Sequence, residues 1–298
     1  MEAGSLSVAQ QRLRGGPGAR RRRAVNRVVE VLCTFAAFLA VAVLLLVVIS
    51  VLIKGLPALN LDFFTKNPAP FGMTGGGIAN SIVGSAILVL LATAMSVPVG
   101  IMVAIYTSEF APTKVSEGIR FALDILNGVP TIVTGVFIFG LLVVGHQQSG
   151  WAGAIALAIV ELPIVARSAQ EVLDLVPRSL HEAGLALGLR RWRIVLRIVL
   201  PTALGGLITG AVLGVARVAG ETAPLLFASS IFSNLGITTN PAQAMPNIPV
   251  TIFTLSESPS PQDHAQAWAA ALVLIAFVLI LSVIARTFHE RSRRRIRG

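Results

Sequence analysis

From Val31 to Ile53 the chain carries no charged side chain. Crossing the hydrocarbon core of a bilayer takes about 20 predominantly apolar residues as a helix, so a run of this length specifies lipid as its surroundings. It is too long for the apolar part of a signal peptide, and no small-x-small cleavage site follows it, so it reads as a retained signal anchor. Five more runs follow. The second spans Ile78 to Ser108 around Pro98, the third Ile125 to Gly145 around Pro130, and the fourth Trp151 to Ala166, interrupted only by Glu161. The fifth extends from Ile198 to about Gly220 and contains Arg217, and the sixth, Ala267 to Ala285, is uninterrupted. With 54% hydrophobic residues, 13% charged residues and a mean hydropathy of +0.79, a soluble globular domain does not fit. The expectation is an all-α integral membrane protein with six transmembrane helices. Prolines inside three of the spans would break helices in water, but in a membrane bundle neighbouring helices satisfy the freed carbonyls.

The net charge of +10 is placed so as to orient these spans. Arginines at 12, 14, 20 to 23 and 27 precede the first span, and those at 286, 291, 293 to 295 and 297 close the last. The positive-inside rule therefore predicts that both the N and C termini are cytoplasmic, which requires an even number of spans. The loops agree: Thr222 to Ala265 and His146 to Gly150 contain no Lys or Arg, whereas Arg178, Arg190, Arg191, Arg193 and Arg197 lie between spans four and five. The same basic clusters suit anionic lipid, and nucleic acid is not an expected partner. Cys33 is the only cysteine, which removes an intrachain disulfide and cysteine-based metal sites.

Along the chain, residues 1–29 are polar and Gly-rich around Gly15 to Gly18 and read as a flexible basic cytoplasmic arm. Residues 30–286 form one permease-like membrane domain, and 287–298 a basic cytoplasmic tail. Within the domain, a cytoplasmic loop covers about 168–197. An external loop covers about 222–266, where Pro241, Pro246, Pro249, Pro259 and Pro261 prevent long helices.

In the cytoplasmic loop, Ser179 with Glu182 three residues on is the pattern of a capping box, and Gly188 is placed to end the helix it starts. Leu180, Ala183 and Leu187 give this short helix an apolar face, suited either to docking in a groove of a partner or to resting on lipid. Arg217 and Glu221 stand four apart in an apolar run, which would place them on one helix face where they can pair. Unpaired in hydrocarbon they would cost at least about 2.5 to 3.5 kcal/mol each, so they are expected to face the bundle interior or an aqueous path. Two readings follow: a structural ion pair, or a guanidinium fork that takes a tetrahedral oxyanion while Glu221 limits its grip. Arg167, near the inner end of span four, is close enough to the surface to snorkel. Asn127, Gly128 and Pro130 predict a helix break, either a gate at the inner mouth or a kink tolerated by the bundle. His146, His181, His264 and His289 are scattered, so no metal site is expected. With no nucleophile-base constellation, Walker loop or Rossmann glycine run, the chain is expected to be a non-catalytic subunit.

The pattern Glu182-Ala183-Gly184, then Gly188, then Ile198, then Leu200-Pro201 resembles the E-A-A loop of ABC importer permeases, with Gly184 in place of the usual second alanine. Further stretches resemble the phosphate-specific branch of that family, in particular its A-type permeases: Gly75 to Ser85, Pro98 to Glu109, Asp124 to Val133, and Ala216 to Leu225. The resemblance covers about residues 30 to 286. It implies the type I ABC importer permease fold, located in the bacterial plasma (inner) membrane. It also implies a function as the permease subunit of an ATP-driven importer of inorganic phosphate, with a permease for another oxyanion or a phosphonate as the alternative. Glu182, Ala183, Gly184, Gly188 and Pro201 would then belong to a coupling helix docked on an ATPase. Arg217, Glu221 and Arg167, the last within Leu162-Pro163-Ile164-Val165-Ala166-Arg167, would belong to the substrate path. Glu161 departs from the family pattern, which has an apolar residue there. The implied partners are a related C-type permease, two copies of an ABC ATPase and an extracytoplasmic phosphate-binding protein, with no cofactor in this chain because ATP and magnesium are used by the ATPase.

Overall fold

A computed structural model describes residues 17–69, 75–230 and 236–297 of the chain. It divides into two compact units, residues 1–53 and 54–298. The described part of the first unit is a single helix, α1 (Pro17–Gly55), which runs on past the unit's end. Residues 17–29, expected to lack a fold, are thus helical and continuous with the first span, while residues 1–16 lie outside the described residues.

The second unit contains α2 (Leu61–Thr65), α3 (Ala79–Ile105), α4 (Thr113–Gly128), α5 (Thr131–Ile138), α6 (Gly150–Asp174), α7 (Arg178–Ala186), α8 (Arg191–Ile194), α9 (Leu200–Val218), α10 (Ala223–Ala228), α11 (Ile248–Ser256) and α12 (Pro261–Arg297). Wider π turns extend α3 through Tyr106–Phe110 and α5 through Phe139–Val143, and another, Val195–Val199, joins α8 to α9. The last of these precedes Pro201, whose missing N–H would leave a gap in a regular ladder.

Among the described residues five helices are long and apolar enough to cross a membrane: Ala24–Ala58, Ala79–Phe110, Gly150–Asp174, Arg191–Val218 and Pro261–Ile284. Six is reached by counting α4 and α5 together, a pair bent by 91°. The third expected span is therefore not one helix. Pro130 disfavours helical geometry at Val129, which is extended at φ −67 and ψ 128, so α4 stops at Gly128. Pro98 and Pro163, by contrast, sit inside continuous helices.

Lipid tails are as apolar as leucine, so this bundle cannot rely on apolar burial alone and close packing of small residues holds it. On α3 the buried positions Ala92, Ser96, Gly100 and Ala104 recur every four residues and face α6. A Cβ on Gly100 would lie 3.0 Å from Val165 Cγ1. On α9, Gly206, Gly210 and Gly214 form a second such stripe against Val172, Ser168 and Val165 of α6. The segment 222–266 is ordered where described: α11 is capped by Asn247 Oδ1, which accepts from Val250 N at 3.0 Å. It is pinned to the start of α3 by Ser81–Thr251 at 2.7 Å and Ile248 N to Ser85 Oγ at 2.8 Å. In the expected tail, α12 continues unbroken to Arg297.

Candidate anion path and coupling surface

Arg217 lies in the last turn of α9 and is exposed. It opens into a crevice of about 60 Å³ with Asn127, Val129, Thr131 and Thr134 from the α4–α5 break and Val160 and Ile164 from α6. The helix break and the arginine, two separate features of the sequence, thus meet in one place. Gly128 and Pro130 flank the lining residues and set the bend.

Glu221 does not pair with Arg217. Helix α9 ends at Val218, and Glu221 N bonds to Val218 O at 3.1 Å in the turn beyond. The cause is Pro224, whose ring would clash with the carbonyl of Gly220 in a continuous helix, so a new helix begins at Ala223. The expected shared helix face does not exist. Among the described residues, neither Arg217 nor Glu221 has an ion-pair partner.

Arg167 does not line the crevice. Its Nε donates to Asp124 Oδ1 at 2.7 Å, its Nη2 to Asp124 Oδ2, and its Nη1 to Gln170 Oε1 at 3.2 Å. Buried Gln170 in turn donates to Thr107 Oγ1 at 2.7 Å. All three guanidinium nitrogens are engaged, so the fork is not presented to an anion in this conformation. A second pair, Arg120–Asp174 at 3.1 Å, also ties α4 to α6. The sequence reading missed Asp124 as a partner; its signal was an acidic residue near the apolar end of α4, with no way to tell which helix it met.

Glu161 is fully buried between α3 and α9. Thr93 Oγ1 donates to its Oε1 at 3.4 Å and Gly214 faces its side chain. Among the described residues it pairs with no arginine.

The loop after α6 forms the expected helix, α7, but by a different start. Pro177 is the N-cap and no side chain caps the helix, so Ser179 and Glu182 do not form the capping box. The C-terminal end is as expected. Gly188 takes φ +75, Leu189 N bonds to Gly184 O and Gly188 N to Leu185 O, the paired bonds of a Schellman motif. Leu180, expected on a docking face, packs inward with Leu189 and Ile194. Gly184 is buried because a Cβ there would lie 2.8 Å from Ile194 Cγ1. Glu182 and Ala183 face outward, together with Leu175 and Leu187, which are 81% and 79% exposed. His181 reaches back to Glu109 in the turn after α3. Pro201 begins α9.

Residues 96–298 match the family described as binding-protein-dependent transport system inner membrane component. The phosphate transport system permease protein PstA of Yersinia pestis is 40% identical over 274 residues, 91% of this chain and 92% of its own length. That of Xylella fastidiosa (strain 9a5c) is 38% identical over 292 residues, 97% of this chain and 99% of its own length. A bacterial alginate ABC transporter, solved with its pentasaccharide-bound periplasmic protein, superposes with a TM-score of 0.62 over 87% of this chain and 94% of that one. At 14% identity, that likeness shows the fold, the type I ABC importer permease fold. With its family match over more than half the chain and relatives well above 30% identity along nearly all of it, this protein belongs to the binding-protein-dependent transport system inner membrane components.

Proposed function

We propose that this multi-span permease is the transmembrane subunit of an ATP-driven importer of inorganic phosphate, and that the Arg217 crevice is its half of the path. Arg217 carries the reading: among the described residues it is a guanidinium fork without an ion-pair partner, at the end of a membrane helix and opening beside a broken helix, and its paired N–H donors can grip a tetrahedral oxyanion. The relatives named for phosphate transport support that choice of anion. Helix α7, with Glu182, Ala183, Gly184 and Gly188, would dock on an ABC ATPase. Two copies of that ATPase, a second C-type permease and an extracytoplasmic phosphate-binding protein would complete the assembly. ATP would be hydrolysed outside this chain, which would lie in the bacterial inner membrane with both termini cytoplasmic.

Arg217→Gln roughly keeps side-chain length but removes the charged fork. It should stop phosphate uptake while the protein remains in the membrane with its ATPase, and Arg217→Lys should restore uptake only in part. Because Glu221 is not its partner, the effects of Arg217→Lys and Glu221→Gln on uptake should be additive on a logarithmic scale. Parental uptake by Arg217→Gln, or disappearance of the protein from the membrane, would refute the path assignment. Competition by phosphonate or another oxyanion in the same assay would redirect the substrate.

A further inference from the structure

A second concavity lies on the opposite side of α9. It is a groove of about 380 Å³ between α3 and α9, lined wholly by apolar side chains, among them Val97, Ile101, Leu196, Leu200, Leu204 and Ile208. Ile208 and Arg217 are nine residues apart, two and a half helical turns, so the groove faces away from the anion crevice. From Leu196 to Ile208 it runs roughly 18 Å at about 1.5 Å per residue, close to one leaflet of a hydrocarbon core about 30 Å thick.

What heads the groove argues for its occupant. Arg193 and Arg197 sit three residues before Leu196 and Leu200, at the start of the groove-lining row. The apolar helical segment Arg191–Val218 has 28 residues, roughly 42 Å at 1.5 Å per residue, longer than the hydrocarbon core. Three of its four arginines, Arg191, Arg193 and Arg197, lie at its first end, and a cluster of that kind belongs at headgroup level. Arg193 stacks on the half-exposed Trp192 at 5.2 Å, an aromatic of the kind that anchors at a membrane interface. Among the described residues neither Arg193 nor Arg197 has an ion-pair partner. An apolar trough of leaflet length, with two exposed arginines one helical turn before its lining leucines, complements an acyl chain bearing an anionic head.

We propose that the α3–α9 groove is a binding site for an anionic phospholipid, with one acyl chain lying along Leu196, Leu200, Leu204 and Ile208 and the phosphate held by Arg193 and Arg197. The site is separate from the transport path, and inorganic phosphate, lacking the chain, does not occupy it.

The test is photolabelling of the full-length chain, with the subunits that copurify, in nanodiscs. The probes are phosphatidylglycerol and phosphatidylcholine carrying a diazirine in the acyl chain, with labelled peptides mapped by mass spectrometry. The phosphatidylglycerol probe should label the 196–211 segment in clear preference to the phosphatidylcholine probe. The double variant R193Q/R197Q should weaken that labelling about thirtyfold, from the usual contribution of each arginine at an anionic surface. Leu204→Trp, which fills the trough, should suppress labelling by both probes. If the double variant fails to assemble, raising the salt concentration on the parental protein serves instead and should erode the preference for phosphatidylglycerol. Excess inorganic phosphate should leave labelling unchanged. Equal labelling by the two probes, or displacement by inorganic phosphate, would overturn the proposal. Absence of label from the segment with either probe would overturn it in favour of a protein cover, such as the second permease.

Discussion

His181 Nε2 stands 3.0 Å from Glu109 Oε2, joining the short helix that follows α6 to the π turn that ends α3. The Glu109 side chain is only 9% exposed, so this contact is sheltered from water and competing ions. It is a direct side-chain link between the candidate ATPase-facing surface and a membrane span. His181→Ala would leave the sheltered carboxylate without its partner, a loss of about 1 to 3 kcal/mol for a hydrogen bond to a charged group. Uptake per molecule of membrane-inserted protein should fall several-fold, and the thermal transition of the purified assembly should drop. Glu109→Gln, which keeps an acceptor for the ring, should be milder in both measurements.

The Asp124–Arg167 pair predicts reciprocity. Reversing one charge, Asp124→Arg or Arg167→Asp, places like charges opposite one another across α4 and α6 and should sharply reduce folded protein in the membrane. The double reversal should recover most of it, as measured by detergent-solubilised monodisperse protein. If Arg167 served the anion directly rather than holding α4, the double reversal would recover folding but not uptake.

Gly184 is buried against Ile194, and its missing side chain is a packing requirement. Gly184→Ala should lower stability by about 1 to 3 kcal/mol, the usual penalty of overpacking. Trimming the opposing side chain with Ile194→Val, which removes Cδ1, 3.0 Å from the added Cβ, should return part of it. Thermal unfolding of the single and double variants reads this directly.

Orientation is open to labelling. Asn247 is fully buried and caps α11, so it does not suit this purpose. Glu257 and Leu187 are exposed on either side of the bundle's charge asymmetry. In a Cys33→Ser background, Glu257→Cys should react with an impermeant thiol reagent added outside cells, and Leu187→Cys should react only after lysis. The opposite pattern would reverse the orientation derived from the arginines.

Much of the candidate site was legible in the residues because some signals are local. Gly188 ends α7 because positive φ is open to glycine at little cost, and that requirement does not depend on what packs nearby. Pro130 breaks the third span for an equally local reason. The start of α7 was misread because Pro177, one residue before the helix, supplied the fixed φ that Ser179 was expected to replace with a side-chain cap.

The sequence by itself determined that the chain lives in lipid, roughly where its spans lie, and which of them is interrupted, since these follow from uncharged run length and from proline stereochemistry. Partnership between distant side chains was decided only by the tertiary structure. Arg217 and Glu221, four apart in the chain, were separated by a helix break caused by Pro224 further on. Arg167 and Asp124, 43 residues apart, were joined because α4 folds back along α6. A helical period says which residues share a face if the helix continues, but the neighbouring helix and the point where the chain turns decide whether that face exists and what it meets.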